Sequence, residues 1–343
     1  MKILSIDTSC DETAAAVTDN DAILSNITFS QILMHEKFGG VVPDIARRNH
    51  EERIDGVVEK ALKSARTKIE DIDAIAVTFG PGLAIALGVG INKAKELAKL
   101  YKKPLIPVNH MEGHTYACFA KNSKGNPERD ILFPALVLLV SGAHTELVYM
   151  KKHNSYEVLG KTRDDAAGEA LDKAARIILN EHIYPGGSVI ERLALKGDEN
   201  FLALPIPMKQ SKDLDFSYSG IKTALLYAVQ EMGDKERSTH MADLAASFQK
   251  SVFTSIAIKV RAALDQYKIC SVLVGGGVGA NEYLRNIVRI EAKKHKTPVY
   301  FPYTKKLYGD NAAMIGVAAF YKGLDAQAKD FETVQRSARA ELH

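Results

Sequence analysis

Lys2-Ile3-Leu4-Ser5-Ile6-Asp7, running into Thr8-Ser9-Cys10-Asp11-Glu12-Thr13, is the stretch that decides the fold. An apolar run of strand length enters a corner crowded with hydroxyl and carboxyl side chains, the pattern of a buried strand ending in a tight turn. Ala14–Thr18 and Ile23–Thr28 follow as a hairpin, with Asp19-Asn20-Asp21 as its turn. Pro43 to Arg66 places Ile45, Ile54, Val57, Val58, Ala61 and Leu62 at helical spacing. A buried strand, Ala74–Phe79, ends in Gly80-Pro81-Gly82. A helix from about Leu83 to Tyr101, a strand at Leu105–Val108 and a helix holding His110 and His114 complete the first half.

The same opening returns after Lys121–Asp130 (KNSKGNPERD), a polar stretch with Gly and Pro that reads as a linker. Pro134–Val140 is a strand, Ser141-Gly142-Ala143-His144 a turn, Thr145–Met150 a returning strand and Tyr156–Gly160 a third. Helices follow, then a strand at Ser271–Val274 ending in Gly275-Gly276-Gly277. The helix Glu282–His295, a strand at Pro298–Phe301 and an apolar helix beginning near Asp310 end the pattern. Each half opens with strand, small-residue turn and hairpin. The expected class is therefore α/β, with two lobes and a ligand cleft between them, resembling the actin, Hsp70 and sugar-kinase superfold. That resemblance carries no chemistry by itself. The expected N-terminal lobe is 1–120 plus about 305–343, closed by the C-terminal helix; the C-terminal lobe is 131–304, with 121–130 as linker.

Composition narrows the class. A chain of 343 residues fits two ordinary domains and buries roughly three quarters of its unfolded surface, so it needs no staples. Its three cysteines, Cys10, Cys118 and Cys270, are odd in number and widely spaced, which suits a reducing compartment rather than a disulfide framework. The first residues read as a strand and not a signal peptide. Apolar runs such as Ala135–Val140 are too short to cross a bilayer. A soluble, cytoplasmic protein with no membrane partner is expected. The formal net charge of +3 neither demands nor excludes a nucleic-acid partner.

Three constellations could carry chemistry. Gly80-Pro81-Gly82, Ser141-Gly142-Ala143 and Gly275-Gly276-Gly277 each follow a strand, where glycine lets backbone N–H groups approach an anion. One such loop is ordinarily a turn; several at strand ends in both halves point to a phosphate-bearing ligand, although none matches the Walker or G-x-G-x-x-G patterns. The Asp7–Thr13 corner reads either as a solvated turn or as hydroxyls and amides facing phosphate with a carboxylate nearby. Cys10 has no partner base near it in sequence and reads as packing. In His110-Met111-Glu112-Gly113-His114, two imidazoles at i and i+4 share one helix face and can hold one metal ion, or can simply be hydrogen-bonded. The H-E-x-x-H pattern of zinc proteases is absent. Asp310, heading Asp310-Asn311-Ala312-Ala313-Met314, is the candidate third ligand, a helix N-cap, or both. Asp172 reads as a helix charge paired with a neighbouring lysine, Tyr184-Pro185-Gly186-Gly187 as a helix stop, and Asn281 as an N-cap.

Taken together these motifs resemble the universal tRNA threonylcarbamoyladenosine transferase family, once labelled O-sialoglycoprotein endopeptidases. The resemblance runs over essentially the whole chain. It includes Ile6–Thr13, Gly80–Leu83, His110–His114, Val140–Thr145, Asp164–Ala170, Tyr184–Gly187, Phe216–Thr223, Gly275–Asn281 and Asp310-Asn311. His144 after the Ser-Gly turn is similar to the bacterial or organellar branch.

The resemblance implies transfer of a threonylcarbamoyl group from threonylcarbamoyl-adenylate to N6 of the adenosine beside the anticodon, in tRNAs reading codons that start with A. It implies one divalent metal ion per subunit on His110, His114 and Asp310, Fe(2+) first and Zn(2+) second. It places the adenylate along Leu139, Val140, Ser141, Gly142 and Ala143, with Asp172, Gly187, Glu191 and Asn281 around the nucleoside. An inactive paralogue and a small ATPase are the implied partner subunits. Ala143 stands where the family usually has a second glycine, Asp44 where it has glutamate, and Tyr218 where it has phenylalanine.

Asp11 or Glu12 is the expected base for N6. Lys209, Lys212 and Lys222 flank Phe216–Gly220, read as a mobile loop, and are either tRNA contacts or solvated charge. The rival readings are an ATP-dependent small-molecule kinase of the same superfold, a metalloprotease, and an inactive assembly subunit. None of these needs both His110 and His114 without H-E-x-x-H.

Overall fold

A computed structural model describes residues 1–328 and 330–342. Its strands are β1 (Lys2–Asp7), β2 (Glu12–Asp19), β3 (Ala22–Ser30), β4 (Ala74–Gly80), β5 (Leu105–Asn109), β6 (Lys121–Asn122), β7 (Ala135–Val140), β8 (Thr145–Lys152), β9 (Ser155–Lys161), β10 (Ser271–Gly275) and β11 (Val299–Tyr300). Its helices are α1 (Ile32–His35), α2 (Pro43–Ser64), α3 (Ala84–Tyr101), α4 (His110–Tyr116), α5 (Ala167–Leu179), α6 (Gly187–Ala194), α7 (Ser219–Thr239), α8 (Met241–Gln266), α9 (Glu282–Lys294) and α10 (Ala312–Lys322).

The strands form two sheets, ordered β5-β4-β1-β2-β3-β6 and β11-β10-β7-β8-β9. Apart from β6 the two orders correspond strand for strand. β1 pairs antiparallel with β2 and parallel with β4; β7 pairs antiparallel with β8 and parallel with β10. This is the repeat expected from strand, turn and hairpin. β6 is a difference from the sequence reading. Lys121 and Asn122 pair with Ala22 and Ile23, so the start of the polar stretch is tied into the first sheet and is not free linker.

The helix α10 comes from the far end of the chain and packs on β1 and β2. The approach is close because the strand face is built from small residues. Ser5 Oγ donates to the Ala312 carbonyl at 2.6 Å. A Cβ at Gly316 would lie 2.8 Å from Thr18 Oγ1 and 2.9 Å from Ser5 Oγ, so any side chain there would force the helix off the sheet. The short helix α4 lies between the two sheets. Gly113 faces Ile315 and Met314 of α10, and a Cβ at Gly275, the end of β10, would be 2.4 Å from the His114 carbonyl oxygen. One buried cluster accordingly joins Ile3, Ala74 and Ile106 of the first sheet, Val137, Leu139 and Leu273 of the second, and Met111, Tyr116 and Met314 between them. Among the described residues all three cysteines are free, and no helix is long and apolar enough to cross a membrane.

Candidate metal centre and ligand cleft

Asn109-His110-Met111-Glu112 starts α4 for a local reason. The Asn109 side chain accepts from Met111 N at 2.8 Å, and Glu112 Oε2 accepts from Asn109 N at 3.2 Å, a reciprocal capping box. The box starts a seven-residue helix on His110 and so places His110 and His114 on one face. Their rings meet edge to face, with centroids 4.6 Å apart.

Asp310 reaches this face from the loop before α10. Its Oδ1 lies 3.2 Å from His110 Nε2 and 3.3 Å from His114 Nε2. Asp310 is not the helix cap: Asn311 is, its Oδ1 accepting from Met314 N at 3.1 Å. The cap and the candidate ligand are therefore two residues, which corrects the reading of one residue in both roles. Asp7, at the end of β1, faces the other side of His110, Oδ1 to Nδ1 3.7 Å, and accepts from Ser9 Oγ at 3.2 Å.

The electrostatics match a cation site. Burial opposes a proton on His110, but the carboxylates of Asp310 and Asp7 outweigh it and raise the pKa to about 10. Asp310 is half-buried, and although desolvation opposes its charge, the adjoining His110 and His114 hold its carboxyl well below the usual range. Burial, above all, lowers His114 and keeps that imidazole neutral. Both ring nitrogens of His114 are buried without a hydrogen-bond partner among the described residues. A cation held with Asp310 would engage His114 Nε2, the ring nitrogen that faces the carboxylate. Three donors each about 2.1 Å from an ion at near-tetrahedral angles lie roughly 3.4 Å apart, close to the separations seen here. Two imidazoles and one carboxylate suit Fe(2+) and Zn(2+) alike. The residues fit the group.

The centre opens on a cleft of about 800 Å³ walled by both halves. Asp11, Glu12 and His110 line it from the first half, Ser141, Gly142, Ala143, Asp172, Gly187, Glu191 and Asn281 from the second, and Asp310 from the loop before α10. Leu139 and Val140 lie beneath it, fully buried in β7. Glu12 has its carboxyl pKa raised well above the ordinary value, by burial first and then by Asp310 and Asp11.

Several amides and hydroxyls expected to face a phosphate are already engaged. Ser141 Oγ accepts from Ala143 N and His144 N, at 3.3 and 3.1 Å. In the first glycine loop, Gly82 N donates to Ala338 O and Leu83 N to Ser9 O; its glycines serve close packing, with a Cβ at Gly82 only 2.4 Å from Ser9 O. Thr8 Oγ1 is bonded to Ala86 O and Gly90 N, and Thr13 Oγ1 to His50 Nδ1 at 2.8 Å. Turn and core satisfaction take these groups first.

The outer residues are also structurally committed. Asp172 Oδ1 accepts from Gly186 N and Gly187 N, at 2.7 and 2.8 Å, so it holds the start of α6 and is not a mere surface charge. Burial raises its pKa despite those bonds. Glu191 accepts from Glu282 N at 2.8 Å. Asn281 caps α9, accepting from Leu284 N at 3.2 Å, and donates to Gln249 Oε1 at 2.8 Å. Phe216–Gly220 is anchored. Phe216 and Tyr218 are fully buried, and Asp164 accepts from Ser217 Oγ, Tyr218 N and Ser219. Lys209 and Lys212 are exposed and Lys222 half-buried; none of them lines the cleft.

Sequence reasoning placed Asp7 in the candidate corner but did not pair it with His110, and it missed His144 in the cleft wall and Arg176. Arg176 is the only Lys or Arg side chain lining the cleft among the described residues. Its signal was present: it stands four residues after Asp172, hence on the same face of α5.

Comparison with known proteins adds the family context. A family model described as tRNA N6-adenosine threonylcarbamoyltransferase matches residues 22–317. The chain is similar to proteins of that name from Clostridium novyi (46% identity, 97% of this chain and 95% of the relative) and Gloeothece citriformis (48%, 92% and 90%). A third, from Staphylococcus saprophyticus, is 46% identical over 93% of this chain and 90% of its own length. Among solved structures, HypF of T. kodakarensis superposes with a TM-score of 0.63 at 13% identity, over 94% of this chain and 47% of that one. Component A of the (R)-2-hydroxyglutaryl-CoA dehydratase of Acidaminococcus fermentans gives 0.54 at 14% identity, over 94% and 98%. These two likenesses show the fold alone, the two-lobed actin/Hsp70/sugar-kinase-like class.

Proposed function

The chain belongs to the tRNA N6-adenosine threonylcarbamoyltransferase family, and on that premise we propose how its residues perform the transfer. The threonylcarbamoyl group passes from threonylcarbamoyl-adenylate to N6 of the adenosine beside the anticodon, in tRNAs reading codons that start with A, and AMP leaves. The observation that carries the reading is the His110–His114–Asp310 cluster, its histidines buried and its aspartate half-buried, at a cleft lined from both sheets. The relatives' shared name speaks against the kinase alternative.

His110, His114 and Asp310 would hold one divalent ion, Fe(2+) before Zn(2+). When bound, that ion supplies Lewis-acid polarisation of the carbonyl under attack. Asp7 orients His110 from behind. Asp11, next to Glu12 whose surroundings favour its protonated form, takes the proton that N6 sheds as the new C–N bond forms. The bond from the carbonyl carbon to the phosphate oxygen breaks, and its electrons leave with AMP. Arg176 and the Gly142 N–H meet that phosphate. The adenylate lies over Leu139 and Val140 and along Ser141, Gly142 and Ala143. Asp172, Gly187, Glu191 and Asn281 shape the nucleoside pocket. An inactive paralogue and a small ATPase act with the subunit in the cytoplasm.

The test is direct. The protein, alone and with those subunits, is incubated with threonylcarbamoyl-adenylate and unmodified tRNA. Digests should contain threonylcarbamoyladenosine; none in either mixture would refute the reading.

A further inference from the structure

Arg285 and Arg289 stand one turn apart on α9 and both cover a single ring. Their guanidinium carbons lie 4.8 and 4.6 Å from the Phe301 centroid. Two like charges on one helix face repel, so the arrangement needs a reason. Stacking on an aromatic ring holds each guanidinium flat while leaving its N–H edge free for an anion. No carboxylate lies within ion-pair distance of either among the described residues. Arg289 donates to the neutral Asn286 Oδ1 at 3.2 Å, and Arg285 Nε is buried without a partner. Of the two acids on the helix, Glu291 is held by Lys294 at 2.8 Å, and Glu282, three residues before Arg285, is exposed and forms no ion pair with it within 4.0 Å.

Both flanks of this pair lead into the cleft. Asn281, one turn before Arg285, lines it. On the other flank the chain runs from Phe301 through Lys305 and Lys306, both exposed, to Gly309 and Asp310, which line it as well. Arg285 and Arg289 also act electrostatically on the buried Tyr308, next to that loop. Arg285, Arg289 and Lys293 repeat every four residues, about 6 Å apart along the helix. The result is a row of cations with no carboxylate partner among the described residues, joined in sequence to cleft-lining Asn281 at one end and Gly309 and Asp310 at the other.

We propose that the α9–Phe301 face, through Arg285, Arg289, Lys305 and Lys306, is the surface that grips the phosphodiester backbone of the RNA whose adenosine enters the cleft. The proposal rests on the transferase reading above. A nucleotide inserted towards Asp310 must carry its flanking phosphates out past the cleft-lining Asn281 and Gly309, and the segments continuing from those residues hold cations bound to no carboxylate among the described residues. Bidentate guanidinium contacts to phosphate are the strong form of such an interaction.

Arg285 is half-buried, so the test uses the exposed residues: the triple variant Arg289→Ala, Lys305→Ala, Lys306→Ala, with Lys209→Ala, Lys212→Ala as comparator. Filter binding of unmodified tRNA is measured between about 50 and 200 mM salt, where each phosphate contact contributes about 0.7–0.9 to the log–log slope. The triple variant should lose about two units of slope and at least about tenfold in affinity. Its KM for tRNA should rise in proportion, with kcat at saturating tRNA unchanged. The comparator should keep the slope. An unchanged slope in the triple variant, a fall in kcat at constant KM, or the loss appearing in the comparator would each overturn the proposal. The binding arm separates this from the reading beneath it. Wild-type protein that binds tRNA through this face without transferring the group refutes the transferase reading alone; transfer indifferent to the variant refutes the surface alone.

Discussion

Glu112 and Lys322 form an ion pair between the metal-site helix and the far end of α10, with Lys322 Nζ 2.7 and 3.0 Å from the two carboxylate oxygens. Glu112 is almost wholly buried and also caps α4 through Asn109 N. Asp310 precedes α10 and Lys322 closes it, so this pair and the candidate ligand set grip α4 at opposite ends of one helix. Lys322→Ala would strand a buried carboxylate. We expect a loss of about 3 kcal/mol in urea unfolding, the low end for a broken buried pair because the lysine is partly solvated. The double variant Glu112→Gln, Lys322→Met should be markedly less destabilised than Lys322→Ala. Equal losses would mean the charge pair is not what matters.

Separation of cap and ligand makes Asp310→Asn a clean probe. The Asn311 cap stays intact, so the start of α10 should be retained in the metal-free variant, read by far-UV circular dichroism. Metal content, read by elemental mass spectrometry after dialysis against Fe(2+) or Zn(2+), should fall to background. His110→Ala should show the same loss together with loss of transfer. Full activity in His110→Ala would dispose of metal-assisted catalysis.

The base assignment predicts asymmetry between neighbours. Asp11→Asn should lower kcat by about 10²–10⁴, whereas Glu12→Gln, which imitates the protonated form favoured by its surroundings, should stay within about tenfold of wild type. Single-turnover transfer at saturating adenylate would measure both. Normal rates in both variants would remove the carboxylate base.

Cys118 tests the buried junction of the two sheets. Burial, the dominant cause, pushes its thiol up to about 12. The native thiol should therefore resist iodoacetamide at pH 8.5 and react on unfolding. The sign of the linkage follows. With the folded pKa raised, the native state keeps a proton that the unfolded chain loses above about 9. The contribution to stability is full below that pH and declines as pH rises towards 12. Cys118→Ala should flatten this part of the pH–stability curve.

Much of the architecture was legible because it is periodic. Strand, turn and hairpin recur in both halves, and the sheets repeat that order. The i, i+4 histidines were legible because helix geometry alone puts them on one face. The occupancy of the turns was not. Whether Ser141 satisfies the amides of Ala143 and His144, or leaves them to a ligand, depends on a side-chain torsion that spacing does not encode. The glycines of Gly80-Pro81-Gly82 looked like an anion loop and prove to be close-packing sites against Ser9 and the C-terminal segment.

The amino-acid sequence by itself determined the elements, the metal-competent donor types and the family, since these follow from local period and motif. The tertiary structure decided which groups meet. Small residues on β1 and β2 let α10 sit against the sheet, and only that approach carries Asp310 to within 3.3 Å of both imidazoles. The fold also puts Asp7 behind His110 and stacks Arg285 and Arg289 on Phe301. Contacts between residues hundreds of positions apart are set by packing, which no local pattern records.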